Sequence, residues 1–142
     1  KLSKLTKIPN TSIQRYLNLL KKEEIINKEN KAQQNSYVKF LKSFYFIDKL
    51  HQVGLIDHLE KELIPSTIVL FGSIRKGEYD KDSDIDIFIE STKKQKLNLS
   101  HYEKLLNHKI QVFIEKDIKD LPPRLLNNVI NGIKLRGYIK IK

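Results

Sequence analysis

The feature that most constrains this fold is a run in the middle of the chain, where a Gly-Ser turn after an apolar strand leads to two alternating aspartates. Residues 72–86 read GSIRKGEYDKDSDID. The preceding segment, Thr67–Phe71, is apolar and β-branched without alternation, which is typical of a strand covered on both faces. We therefore predict a buried strand, a tight turn at Gly72 and a short helix that begins at Ser73.

The turn has the residue types of a phosphate-binding site. Gly72 lets a ligand approach the main chain closely. A helix that begins at Ser73 would present unpaired N–H groups to an anion, and Arg75 and Lys76 add positive charge beside it. Gly-Ser pairs are also common in ordinary turns, so the turn alone leaves a purely structural role open.

The two aspartates predict a metal site. The segment from Asp84 to Ile89 alternates with period two, so Asp84 and Asp86 lie on the face opposite the isoleucines. Their Cα atoms would be roughly 7 Å apart, and both carboxylates can reach one hard cation or a pair of cations. Asp is depleted in strands and like charges on one face repel, so a structural polar face would cost stability. Mg²⁺ prefers oxygen ligands and leaves coordination positions for substrate phosphates, so it is the expected cofactor.

Taken together, the run resembles the motif of the polymerase-β-like nucleotidyltransferases, in particular the small prokaryotic minimal nucleotidyltransferases. Their pattern is Gly-Ser, three residues, Gly, a short acidic stretch and Ser-Asp-x-Asp. It falls without insertion or deletion on Gly72, Ser73, Gly77, Ser83, Asp84 and Asp86, with the usual basic residue at Lys76. The resemblance extends over roughly residues 64–138. It implies an α+β fold: a short mixed sheet with helices on one side.

The resemblance also implies a reaction and roles. The reaction is transfer of a nucleoside monophosphate from a nucleoside triphosphate to a hydroxyl acceptor, with two Mg²⁺ ions as cofactor. Asp84 and Asp86 would be the catalytic, metal-binding residues. The nucleotide phosphates would be held by Gly72, Ser73, Lys76 and Ser83. Family members of this size often act as antitoxins that modify a toxin with a HEPN ribonuclease fold, so a HEPN-type toxin is an expected partner.

One position departs from the family pattern. The third carboxylate normally lies on a later strand, and in the matching strand, residues 109–114, Gln111 takes its place. An amide is neutral and cannot act as a base. Glu115 lies on the same face of this strand as Gln111, but it is about 13 Å further along, so we do not expect it to replace the missing carboxylate. The alternative to an active enzyme is therefore a catalytically weak or inactive regulator that binds DNA and nucleotide.

The front of the chain resembles a winged helix-turn-helix. A short helix end is followed by a break at Pro9, a helix over 11–24 and a polar stretch over 27–39. In this interpretation the helix is the recognition helix and the polar stretch is the wing. The residues that would face DNA bases are Asn10, Thr11, Ser12, Gln14 and Arg15. A helical hairpin used for dimerisation is the alternative. Because the chain starts within this pattern, we expect preceding residues to be missing.

Charge supports contact between the front of the chain and a polyanion. Residues 1–50 carry 11 basic and 4 acidic residues, which gives +7 of the chain's net charge of +10. Lysine is abundant throughout, so a general compositional bias is the alternative. We predict two domains, 1–53 and 54–142, with double-stranded DNA as a partner and homodimerisation as a further hypothesis. The chain has no cysteine and no apolar run that could span a bilayer, which favours a cytoplasmic protein without membrane contact.

Overall fold

A computed structural model describes residues 1–140, and the chain divides into two compact units between Lys39 and Phe40. The first unit contains helices α1 (Leu2–Thr6) and α2 (Asn10–Lys22). Helix α3 (Ser36–Gln52) spans the division. The second unit continues with α4 (Leu55–Leu63), β1 (Thr67–Phe71), α5 (Gly72–Lys76), β2 (Ile85–Glu90), α6 (Ser100–Leu106), β3 (Ile110–Glu115), a 3₁₀ turn (Ile118–Asp120), α7 (Pro123–Ile130) and β4 (Ile133–Gly137).

In the first unit, a three-residue turn separates two helices and a small hairpin follows them. Helix α1 ends where Lys7 adopts a left-handed conformation, and Pro9 precedes the first residue of α2. Ile26 and Ala32 then form an isolated antiparallel bridge. The Asn27 side chain accepts a hydrogen bond from the Lys31 amide across this turn.

Helix α3 begins inside the stretch 27–39 that was expected to form a wing. Asn35 Oδ1 accepts a hydrogen bond from Val38 N at 2.8 Å, and the Asn35 amide group donates to the Glu24 carbonyl. A side-chain oxygen that receives an early helical N–H stabilises a helix start, so α3 begins at Ser36 and includes residues 36–39 of the stretch that was assigned to the wing.

The first unit buries little apolar surface. No residue of α2 is buried, and Tyr16, which lies at a helical apolar spacing, is 49% exposed. Within residues 1–39, Val38 is the buried hydrophobic residue. The amphipathic spacing therefore predicts helix α2 correctly, but the apolar face of this helix is less buried than the spacing suggests.

The second unit is built around a four-stranded mixed sheet with the order β3-β2-β1-β4. Strand β1 is antiparallel to β2 and β4, and β2 is parallel to β3. All five residues of β1 are buried, which confirms the prediction of a central strand covered on both faces.

Helices cover both faces of this sheet, so the expectation of helices on one side is wrong. On one face, side chains such as Leu70 and Ile87 pack against buried residues of α3, α4 and α6. On the other face, Val69, Phe71 and Phe88 pack against α7 and the 3₁₀ turn. The physical reason is the parity of Phe88: it shares the face of the two aspartates, so only one end of that face is polar.

Within residues 1–140, no helix is both long enough and apolar enough to cross a lipid bilayer.

Candidate functional site

The register of the sheet brings Asp84, Asp86 and Gln111 together at one end. Asp86 lies beside Phe71 of β1 and beside Gln111 of β3. Asp84 directly precedes β2. The Gln111 amide donates a hydrogen bond from Nε2 to Asp84 Oδ2 at 2.7 Å. The residue at the position expected for a third carboxylate is thus in contact with the aspartate pair.

The turn after β1 lies directly against the second aspartate. Gly72 has a φ of +76°, a conformation that residues with a side chain rarely adopt. A Cβ atom built on Gly72 would overlap Asp86 Oδ2 and would lie 3.0 Å from its Cγ. Glycine is therefore favoured at this position for two reasons: the left-handed turn and the space that the Asp86 carboxylate occupies.

The aspartate pair carries negative charge that is only partly compensated. Burial raises the pKa of Asp86 above its ordinary value, and the charge of Asp84 raises this pKa further. Both effects disfavour the ionised form, and a cation at the same place would favour it. The hydrogen bond from Gln111 offsets part of the negative charge on Asp84, but it adds no positive charge.

The other side of the turn is lined by cationic and amide groups. A cavity of about 150 Å³ is lined by Gly72, Arg75, Lys76, Asn127, Asn128 and Asn131. Arg75 Nε is buried and has no hydrogen-bond partner among residues 1–140. Helix α5 has only five residues, so its N-terminal dipole is small and the attraction for an anion comes mainly from the two side-chain charges.

The Ser83 hydroxyl, which was predicted to bind phosphate, is hydrogen-bonded within its own loop. Its hydroxyl accepts a hydrogen bond from Asp80 N at 3.0 Å and donates one to Asp80 Oδ1 at 3.2 Å. The pKa of Asp80 is lowered by the Asp82 N–H and by this hydroxyl. The Ser83 side chain therefore stabilises the loop before Asp84.

A histidine that the sequence does not single out also contacts this loop. His108 Nδ1 lies 2.6 Å from the Ser83 carbonyl oxygen. The two residues are separated by 25 positions, and no motif or periodicity links them. The parallel pairing of β2 and β3, the strands that follow these two residues, brings them near each other.

Two carboxylates at this end fit one divalent cation. Within residues 1–140, no group of three or more His, Cys, Asp and Glu side chains is placed to hold a metal. Glu115 pairs with Lys94 and lies in register with Glu90, away from Asp86. Asp84 and Asp86 are hard oxygen donors, and Mg²⁺ commonly uses one or two carboxylates together with substrate phosphates and water. The donor set therefore suits a cation that arrives with a nucleotide.

The five residues predicted to face DNA lie together at the start of α2. Asn10, Thr11, Gln14 and Arg15 are exposed, and Ser12 is partly exposed. The Gln14 amide donates a hydrogen bond to Asn18 Oδ1 at 3.4 Å. The Arg15 guanidinium lies 5.6 Å from the centroid of the Tyr16 ring.

Comparison with protein families adds an independent observation. A family model described as a nucleotidyltransferase domain matches residues 54–142. The chain belongs to this family. The match covers all four strands of the nucleotidyltransferase domain, together with the Gly72 turn and both aspartates. It supports nucleotidyl transfer as the general activity. A comparison with curated proteins gives no match.

The first prediction concerns the contact between Gly72 and Asp86. Gly72→Ala and Gly54→Ala both place a side chain at a strongly positive φ, but only the first overlaps another atom, since nothing lies within 4 Å of a Cβ at Gly54. We expect about 1 kcal/mol of destabilisation from backbone strain in both variants. We expect weaker Mg²⁺ binding only in Gly72→Ala, by urea denaturation and calorimetric titration. Equal cation affinity in the two variants would show that the contact does not shape the site.

The second prediction uses the raised pKa of Asp86. Because the folded-state pKa lies above the unfolded value, the ionised carboxylate opposes folding at neutral pH, and this effect disappears as the pH falls below the ordinary Asp range. Without divalent cations, we expect Asp86→Asn to be more stable than the wild type near neutral pH and the difference to vanish in acid. Excess Mg²⁺ should stabilise the wild type alone. Urea denaturation across pH tests both statements, and an Asp86→Asn variant that is less stable at neutral pH would contradict them.

Proposed function

We propose that this chain is a Mg²⁺-dependent nucleotidyltransferase that transfers a nucleoside monophosphate from a nucleoside triphosphate to a hydroxyl acceptor. The observation that carries the proposal is the fit between the Gly72 turn and Asp86, where a glycine without space for a side chain lies against a carboxylate. This arrangement places a cation ligand next to a turn that a phosphate can approach closely. Membership of the nucleotidyltransferase family supports the general reaction.

In the proposed reaction, the acceptor oxygen forms a bond to the α-phosphorus and its proton passes to solvent, while the bond from the α-phosphorus to the bridging oxygen breaks and pyrophosphate leaves. Transfer of this kind depends mainly on positioning and on neutralising charge. When bound, Mg²⁺ would supply that neutralisation at the phosphate oxygens. Asp84 and Asp86 would hold it.

The remaining residues of the site would bind and orient the nucleotide. Arg75 and Lys76 line the cavity beside Gly72, where they would offset the charge of the triphosphate tail. Ser73 is the second residue of α5 and lies at the same turn. Ser83 would act through the loop that it stabilises, because its hydroxyl is bonded to Asp80.

A second candidate function is favoured by the contact between Gln111 and Asp84. Gln111 gives its amide N–H to Asp84, which leaves one neutral oxygen to face a cation or an acceptor. No carboxylate at this position can take the proton of an acceptor hydroxyl. A regulator that binds nucleotide with slow or absent transfer is therefore the alternative to an efficient enzyme.

For the front of the chain we propose a DNA-binding module of the winged helix-turn-helix type. The support is the turn of three residues between α1 and α2, the exposed polar residues at the start of α2, and the hairpin after it. The charge of +7 over residues 1–50 favours contact with phosphates.

We propose three further hypotheses, about the acceptor, the cellular compartment and the assembly of this protein. The acceptor hydroxyl belongs to a protein, and a HEPN-type toxin is the candidate, in line with the antitoxin-like proteins that the sequence resembles. The protein acts in the cytoplasm. A homodimer is its proposed assembly.

The third prediction separates the two candidate functions. Gln111→Asp places a carboxylate in register with Asp86, where it can bind a cation and accept a proton. We expect cation affinity and transfer of labelled nucleotide to rise by about 10- to 100-fold, the range that residues supporting a metal site typically control.

Three matched variants control this experiment. Gln111→Asn keeps an amide and should show no gain. Asp86→Asn should abolish transfer, and the double variant with Gln111→Asp should stay inactive. If the wild type already transfers at a rate that Gln111→Asp does not improve, the regulator alternative is wrong. If no variant transfers while all of them bind nucleotide, the enzyme proposal is wrong.

The fourth prediction concerns DNA. Arg15→Ala removes an exposed cation from α2, so we expect weaker duplex binding and a fall of about 1 in the slope of log affinity against log salt. Arg124→Ala, an exposed arginine on α7, is the control and should leave this slope unchanged. Fluorescence anisotropy over a salt series measures both. Identical slopes in the wild type and Arg15→Ala would argue against α2 as the contact surface.

A further inference from the structure

The loop between α5 and β2 carries Asp84 into the site, and its last residues run beside the loop that enters β3. Strands β2 and β3 are parallel, with Ile85 in register with Ile110. Ahead of that pair, the Ile85 amide donates to the Lys109 carbonyl at 2.8 Å. The main chain on the C-terminal side of Asp84 is thereby attached to the β3 side of the sheet.

The His108 side chain provides the next attachment. Nδ1 lies 2.6 Å from the Ser83 carbonyl oxygen, and because a carbonyl oxygen only accepts, Nδ1 carries the proton and donates. Asp84 therefore lies between two anchored neighbours, Ser83 on one side and Ile85 on the other.

The imidazole itself is held by aromatic packing. The His108 ring lies edge-on to Phe46 of α3, with centroids 5.2 Å apart, and edge-on to Tyr79 at 6.0 Å. Phe46 and Tyr79 also contact each other edge-to-face at 5.2 Å. Such contacts restrict the orientation of a ring, so the donor on Nδ1 is aimed before any ligand binds.

The same loop is attached to α3 at a second point. Lys42 Nζ donates to the Tyr79 carbonyl at 2.8 Å and lies 4.5 Å from the centroid of the Tyr79 ring. The Tyr79 hydroxyl donates to the Lys42 carbonyl at 3.2 Å, and burial raises the pKa of this phenol. With Tyr79 fixed to α3 and Ser83 fixed to His108, the stretch before Asp84 has little freedom.

We propose that His108 is a positioning residue for Asp84, acting through the hydrogen bond from Nδ1 to the Ser83 carbonyl. The consequence for cation binding rests on the proposed function. The positioning itself concerns only the loop and holds without metal or nucleotide. His108 orders the main chain that presents Asp84, so that the carboxylate reaches the cation with less loss of conformational entropy.

Three substitutions at His108 test this through the position of the donor atom. Asn carries its amide nitrogen at the same number of bonds from the main chain as Nδ1, and Gln carries its amide nitrogen at the same number as Nε2. Both variants lose the ring and its packing. His108→Asn can therefore restore the hydrogen bond, whereas His108→Gln and His108→Ala cannot.

Hydrogen exchange of the whole chain, without metal and nucleotide, is the first measurement. We expect amides of residues 82–85 to exchange about 2- to 10-fold faster in the Ala and Gln variants, the range that one hydrogen bond contributes, and at nearly the wild-type rate in the Asn variant. His101→Ala removes an exposed histidine of α6 and should change nothing in this segment. Faster exchange to the same extent in all three His108 variants, or in none, would overturn the proposal.

Cation titration is the second measurement, with Mn²⁺ as the probe. We expect the affinity for Mn²⁺ to fall by about 2- to 10-fold in the Ala and Gln variants, the factor expected for exchange, and to recover in the Asn variant. Nucleotidyl transfer is assayed separately. A wild-type protein that shows no transfer would contradict the proposed function and leave the exchange result on His108 as it stands. If His108→Ala exchanges faster but keeps its Mn²⁺ affinity, the ordering of the loop does not affect cation binding, and the proposed role of His108 in positioning Asp84 is wrong.

Discussion

The contact between the Gly72 main chain and the Asp86 carboxylate is the constraint on which the site depends. It requires a left-handed turn directly after a strand whose residues are all buried, and it leaves no space for a side chain at that turn. Burial of the Asp86 carboxylate raises its pKa, and the nearby charge of Asp84 raises it further. An arrangement that is unfavourable for an isolated carboxylate persists because the two central strands on either side of it are fixed by packing on both faces of the sheet.

The sequence predicts this part of the fold well because its information is local. The unbroken apolar run of β1, the glycine after it and the alternation of β2 are each visible within a few residues. The apolar run of β1 predicts cover on both faces, and it is the expectation of helices on one side, taken from the resemblance, that was wrong. The start of α3 within residues 27–39 was missed because one capping residue, Asn35, decides where this helix begins. The contact of His108 with Ser83 joins separate strands and has no local pattern, so only the register of the sheet reveals it.

Gln111 changes the balance between stability and chemistry at the same place. A carboxylate in register with Asp86 would add a third negative charge beside two that already repel each other. The amide avoids this repulsion and donates a hydrogen bond to Asp84, so it stabilises the aspartate pair in the absence of a cation. The same substitution removes a proton acceptor and a charged ligand. In the proposed reaction, a neutral residue here would therefore stabilise the site without a cation at the expense of the rate of transfer.

The two aspartates are held by different kinds of interaction, and this difference bears on how the site would receive a cation. The Asp86 carboxylate lies against the Gly72 turn, which directly follows a strand whose residues are all buried. Asp84 is fixed by hydrogen bonds, through its side chain to Gln111 and through its neighbour Ser83 to His108. A carboxylate oxygen has more than one lone pair, so Asp84 can keep the bond from Gln111 while it binds a metal. Gln111 would then orient a metal ligand in the manner of an outer-shell partner.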